Sequence, residues 1–189
     1  VSVSIEDDYF ILEHDGKDFT GDEFASLCRF GYSNKRNLHT IGFRGIGFKS
    51  TFSLGDHVDV LTPSLAIRFD KKRFTLPQWI ENAPNFDKTR VQVRINDERR
   101  RLELENNFND WINSPASLLF FKNVQSLVIN GHQIYRQFSH HGSSENALWY
   151  DLIGNEADRV LVVKSAPEAF PPEAVEEIRR ERNADDLHL

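Results

Sequence analysis

Between Ser126 and Tyr135 the chain has almost no freedom in what it can form. Ser126–Ile129 and Gln133–Tyr135 are short, partly apolar runs, and Asn130-Gly131 sits between them. Asn and Gly tolerate the positive φ that a two-residue hairpin needs to match the twist of its strands, so this stretch predicts an antiparallel pair. Alternation elsewhere predicts more strands of the same kind. Val1–Ile5 and Tyr9–Glu13 flank the turn Glu6-Asp7-Asp8. His57–Leu61 and Leu65–Phe69 flank Thr62-Pro63-Ser64. Arg90–Ile95 puts Val91, Val93 and Ile95 on one face, and Trp149–Ile153 and Val160–Lys164 close the series.

Helix signals are fewer. Thr20 with Glu23 three residues on forms a capping-box pattern, predicting a helix to about Phe30 that Gly31 stops. Short helices are predicted over about Phe48–Leu54 and Phe108–Asn113, and Pro171-Pro172 opens one through about Arg182. The run Arg99-Arg100-Arg101 within Glu98–Glu105 mixes both signs and reads as solvated surface, and His140-His141 reads as part of a solvated loop. Many strands with few helices point to an α+β fold, a two-layer sandwich with a mostly antiparallel sheet and helices on one face.

Composition narrows the classes. Hydrophobic residues make up 39% of the 189 positions, with 15 Phe, enough for a true core. No apolar run approaches the ~20 residues of a membrane-spanning helix, so no membrane partner is expected. The net charge of −6 does not favour nucleic acid as the main partner, although it leaves one open. The single Cys28 cannot form an internal disulfide, which fits a reducing compartment, the cytoplasm or the nucleus. The chain lacks Met even at position 1, so it is expected to be cut from a longer protein.

The segment with most chemistry is Gly42-Phe43-Arg44-Gly45-Ile46-Gly47-Phe48-Lys49-Ser50. Glycines at this spacing let the backbone turn tightly and approach a ligand, and a helix starting just after them turns free N–H groups towards an anion. Phosphate is the natural occupant, with Lys49 adding charge and Ser50 a hydroxyl. A Walker A loop is disfavoured because Phe48 separates Gly47 from Lys49. A Rossmann turn is disfavoured because the preceding segment is polar rather than a buried strand. A plain glycine-rich surface turn is the bland alternative.

The longer run from Ile41 through Gly42-Phe43-Arg44-Gly45-Ile46-Gly47-Phe48-Lys49-Ser50 to Leu61 closely resembles a segment of the GHKL superfamily of ATPases. That superfamily includes the gyrase B subunit, large heat-shock chaperones, histidine kinases, MutL and MORC proteins. The form Gly-Phe-Lys-Ser is nearest to its sacsin-like and NO VEIN-like branch. The resemblance implies a Bergerat-type fold and assigns the end of an ATP lid and a phosphate motif to Gly42, Gly45, Gly47, Phe48, Lys49 and Ser50. Gly31–Lys35 is similar to the start of the lid, which would bring Ser33 and Lys35 to the nucleotide. Glu13-His14-Asp15-Gly16-Lys17-Asp18-Phe19 resembles the family's Asp-x-Gly-x-Gly motif, in which an Asp accepts from the adenine amino group. Asp15 and Gly16 are the residues carried over, although strict alignment on Gly16 puts His14 at the Asp position and Asp18 at the second Gly. Lys88–Val93 is similar to the last motif and implies that Thr89 lies near adenine.

The resemblance covers residues 1–97 well, as a nucleotide-binding core without its first helix. Residues 98–189 match loosely, as the remainder of the domain and the start of a transducer-like segment. In the family the preceding helix carries the Glu that activates water and the Asn that helps hold Mg2+. The implied ligands are therefore ATP with Mg2+, the metal ligand and the catalytic Glu being expected outside this chain, within a larger parent that dimerises in many relatives. A non-catalytic interaction module keeping the fold without nucleotide is the competing reading.

Overall fold

The computed structural model describes residues 1–29, 47–166 and 168–182. The chain divides into two compact units. One comprises Val1–Asp18 and Thr51–Lys164, the other Phe19–Ser50 and Ser165–Leu189.

The first unit is built on a ten-stranded sheet. Strands β1 (Ser2–Glu6) and β2 (Tyr9–His14) form the expected hairpin, with Asp7 at positive φ in its turn. Strands β3 (His57–Leu61), β4 (Ala66–Asp70), β5 (Gln78–Trp79) and β6 (Thr89–Arg94) follow. Helix α1 (Gly21–Leu27) belongs to the other unit, and the 16-residue helix α2 (Glu98–Asn113) follows β6. Strands β7 (Ser126–Ile129), β8 (His132–His141), β9 (Ala147–Ile153) and β10 (Ala157–Val163) complete the sheet. The spatial order is β10-β9-β8-β7-β1-β2-β6-β3-β4-β5. Every pairing is antiparallel except β1 with β7. The molecule is thus α+β with a mostly antiparallel sheet.

Local chemistry explains the turns. Asn130 and Gly131 both take positive φ, 46° and 83°, the geometry that links β7 to β8. Gly55 precedes β3 where the Arg94 carbonyl oxygen would lie 2.0 Å from any Cβ, so only glycine fits.

The two faces of the sheet differ. One carries Val3, Ile5, Phe10, Leu12, Val91, Val93, Val58, Val60, Ile67 and Phe69 in cross-strand rows. Val58, Val60, Phe69 and Val93 are fully buried, each contributing about 1.5–3 kcal/mol relative to exposure. Further along this face Phe108 and Ile112 of α2 pack with Leu118, Leu127, Ile129 and Ile134, joined by Val3, Ile5 and Phe10. Leu118 belongs to a 3-10 helix over Pro115–Phe120 that follows α2. The helical layer of this unit therefore covers the apolar face.

Two expectations are corrected. The helix predicted over Phe108–Asn113 starts ten residues earlier, at Glu98. The charge run that reads as solvated surface is exposed or half-buried, and it is helical because Asp97 caps it and its signs recur at helical spacing. Arg99 pairs with Glu103 at 3.1 Å and Arg101 with Glu105 at 3.2 Å, both i,i+4. His140-His141 is not a loop either: both belong to β8, where His140 stacks on Trp149 and His141 meets Phe138 edge-on.

In the second unit α1 opens with the expected capping box. Thr20 Oγ1 accepts from the Glu23 N–H, and Glu23 Oε2 accepts from the Thr20 N–H at 2.8 Å. The helix ends at Leu27, short of the expected Phe30. A 3-10 helix over Phe48–Ser53 starts here and runs into the first unit. Helix α3 (Pro172–Arg182) closes the described chain.

Candidate functional site

The residues singled out in the sequence fall in both units. Ser33, Lys35, Gly42 and Gly45 lie outside the described residues.

In the first unit the apolar face changes character at one end. β2 and β6 pair so that His14 stands opposite Thr89, one step beyond the apolar pair Leu12–Val91 on the same face. Thr62 directly follows β3, which pairs with β6 on its other side. Thus Phe10, Leu12 and His14 succeed one another on β2, and Val93, Val91 and Thr89 on β6. Thr89 is 1% exposed and Thr62 5%. Three polar side chains end three apolar rows.

Their hydrogen bonds are only partly used. The Gly16 N–H donates to His14 Nδ1 at 3.1 Å. Thr62 Oγ1 accepts from the Ser64 N–H, and Ser64 Oγ donates to Asp18 Oδ2 at 2.5 Å, tying the β3–β4 turn to the segment after β2. Among the described residues no buried side-chain nitrogen or oxygen lacks a partner. Among the described residues the Thr89 hydroxyl has no hydrogen-bond partner. Asp15 is exposed and lies past the end of β2, as does Gly16. The structure thus sets His14, rather than Asp15, across from Thr89.

In the second unit Gly47 precedes the 3-10 helix. Among the described residues an added Cβ there would meet nothing within 4 Å. Ser50 Oγ donates to the Gly47 carbonyl at 2.6 Å and closes the turn. Lys49 Nζ donates to the Leu27 carbonyl at 2.6 Å, satisfying the C-terminal end of α1, and lies 5.0 Å from the Phe48 ring centroid. Burial lowers the Lys49 pKa, while the neighbouring Cys28 raises it. Burial raises the Cys28 thiol, with Lys49 pulling it down. Phe48 is half-buried.

Sequence reading missed a second polar cluster, on the opposite face of the sheet. Asp59, 5% exposed, accepts from Arg68 Nε at 2.6 Å and from its terminal nitrogen at 2.8 Å, and from Gln92 Nε2 at 3.1 Å. The hydrogen bond to Asp59 raises Arg68 further above its ordinary value, against its own partial burial. Nearby, Arg90 pairs with Glu13 at 2.7 Å. The alternation of β3 was the available signal: Asp59 between Val58 and Val60 had to face the other side.

At the far end of β6 an open cleft is lined by Asp8, Arg94, Asn96, Asp97, Glu98 and Arg101. Its charges answer one another, Asp8 meeting Arg101 at 3.4 Å and Arg94 at 3.7 Å. Among the described residues no group of three or more His, Cys, Asp or Glu is placed to hold a metal ion, and no helix is long and apolar enough to cross a membrane. No protein-family model matches the chain, and no curated protein matches it.

Proposed function

We propose that the chain is the nucleotide-binding part of a GHKL-type ATPase, in which ATP binding drives a conformational change of a larger protein. The observation that carries this reading is the pairing of His14 with Thr89. Two segments 75 residues apart, each resembling an adenine-contacting motif, occupy facing positions on neighbouring strands, on one face, at the point where it turns from apolar to polar. Such an end suits a base: half-buried Leu12 and Val91 offer an apolar bed, and the hydroxyl of Thr89 offers a polar edge. Gly47, where an added Cβ would meet nothing among the described residues, agrees with close approach of a ligand to that backbone.

The residues divide the work. In the first unit Thr89, His14 and Gly16 bind and orient the base. Ser50 keeps an acceptor and its turn geometry, while Lys49 holds the end of α1 through Leu27 and supplies positive charge near the motif. Bound Mg2+ would neutralise the phosphates; its protein ligand belongs, on this reading, to the preceding helix. The engagement of Lys49 with Leu27 favours the competing reading, a non-catalytic interaction module, because there the lysine serves structure alone.

Titration calorimetry of a non-hydrolysable ATP analogue with Mg2+ decides between them. Saturable binding that Thr89→Val and Gly47→Glu each abolish supports the ATPase reading. A folded chain that takes up no nucleotide sinks it and leaves the interaction module.

A further inference from the structure

The sheet has two edges, and they are finished differently. At one, β5 is only two residues long and follows Pro77, so little backbone is left open there. At the other, β10 runs for seven residues in unbroken register against β9, without a proline. Residues of an antiparallel pair alternate between those that bond across the pair and those that do not. The Lys164 N–H donates to the Asn146 carbonyl and the Gly154 N–H to the Glu156 carbonyl, both at 3.0 Å, so the even-numbered residues of β10 bond to β9. The N–H and C=O groups of Ala157, Arg159, Leu161 and Val163 therefore point outward, and among the described residues no strand takes them up. The side chains do not guard this edge. Leu161 and Val163 are 46% and 59% exposed, and Arg159 is turned to Asp151 at 2.7 Å. Such an edge is a template for a further strand.

We propose that this strand is a second copy of β10, paired antiparallel about a two-fold axis at Leu161, so that the chain forms a homodimer by joining its sheet to that of its copy. In this register β10 is complementary to itself. Leu161 meets its own counterpart as a hydrogen-bonded pair, which uses the outward groups of both strands, and Arg159 meets Val163 in the same way. Val160 lies opposite Val162. Asp158 lies opposite Lys164, twice by symmetry, and neither forms an ion pair among the described residues. Moving the axis to Val160 sets Asp158 against Val162, and moving it to Val162 sets Lys164 against Val160, so the charge match selects Leu161. Paired in this way, Leu161 and Val163 lose part of their exposure. A seven-residue edge buries less than the ~1,200 Å2 of a standard interface, so the dimer is weak and dissociates on dilution. Dimerisation at β10 does not depend on nucleotide, whose proposed site lies on β2 and β6.

The test is sedimentation equilibrium of the 189-residue chain, without nucleotide and across a series of concentrations. A reversible monomer–dimer equilibrium is expected. Leu161→Pro removes an N–H that bonds to nothing among the described residues, and so spares the ladder to β9. It takes away both bonds at the axis and should weaken the dimer by about thirty-fold. Asp158→Lys sets like charges opposite each other and should weaken it by about five-fold, and adding Lys164→Asp should restore the wild-type constant. A chain that stays monomeric at every concentration overturns the proposal. So does a dimer that persists unchanged in a folded Leu161→Pro, or one that the charge exchange fails to rescue. If circular dichroism shows that Leu161→Pro does not fold, the charge series decides. None of these outcomes bears on nucleotide binding, which the calorimetry above reads separately.

Discussion

The sheet of the first unit carries two polar clusters on its opposite faces, and they are built on opposite terms. Around Asp59 the bonds close among themselves: one nearly buried carboxylate takes three hydrogen bonds from Arg68 and Gln92. Around Thr89 the bonds stop short. Among the described residues the hydroxyl has no partner, and His14 uses only one ring nitrogen. Burying polar groups costs free energy unless they are paired, so a closed cluster can hold a fold and an open one invites a ligand. The difference separates scaffold from candidate site without any appeal to which residues are most reactive in general.

The largest expected effect tests the closed side. Asp59→Ala leaves Arg68 and Gln92 without their shared acceptor and should destabilise the protein by about 2–3 kcal/mol. That is less than for a fully buried pair because the Arg68 side chain is 46% exposed. Denaturant unfolding measures it, and a loss below about 0.5 kcal/mol would put Asp59 among ordinary surface groups.

The capping box of α1 is a smaller closed set, satisfied reciprocally by Thr20 and Glu23. Thr20→Ala should cost about 1 kcal/mol by the same measurement. An unchanged midpoint would show that the second unit unfolds without α1 contributing.

The open side should respond the other way. Thr89→Val keeps the shape and removes a hydroxyl that bonds to nothing among the described residues, so stability should stay within about 0.5 kcal/mol while nucleotide binding falls. A destabilisation as large as that of Asp59→Ala would mean that Thr89 belongs to the closed class.

The smallest effect concerns Cys28. Burial pushes its thiol above the ordinary range, with Lys49 opposing. A thiol whose folded pKa exceeds its unfolded value adds stability below about pH 8.5, and that contribution fades as pH rises through the folded value. The stability of wild type relative to Cys28→Ala should therefore decline as pH rises past about 8.5. A flat difference would mean that Lys49 cancels the burial.

How much of this was legible depends on the distance over which each residue acts. Asn130-Gly131 and Thr20 with Glu23 declare their structures within four residues, and both formed as read. Alternation placed Val58, Val60 and Val93 inward because neighbours in a strand must point to opposite faces. The first ten residues of α2 escaped, since a mixed charge run resembles any solvated surface until Asp97 and the i,i+4 pairs are seen together.

Taken alone, the sequence determined the local commitments: which stretches extend, where they turn, and which residues resemble a nucleotide site. Tertiary structure decided which strands lie side by side. The parallel pairing of β1 with β7 and the antiparallel pairing of β2 with β6 join residues far apart in the chain, and no local pattern encodes a partner at that range. The same pairing set His14 against Thr89 and left Asp15 outside. A one-residue slip would have turned every side chain of β6 to the other face, so burial of Val91 and Val93 against Phe10 and Leu12 fixed the register, and the site followed from it.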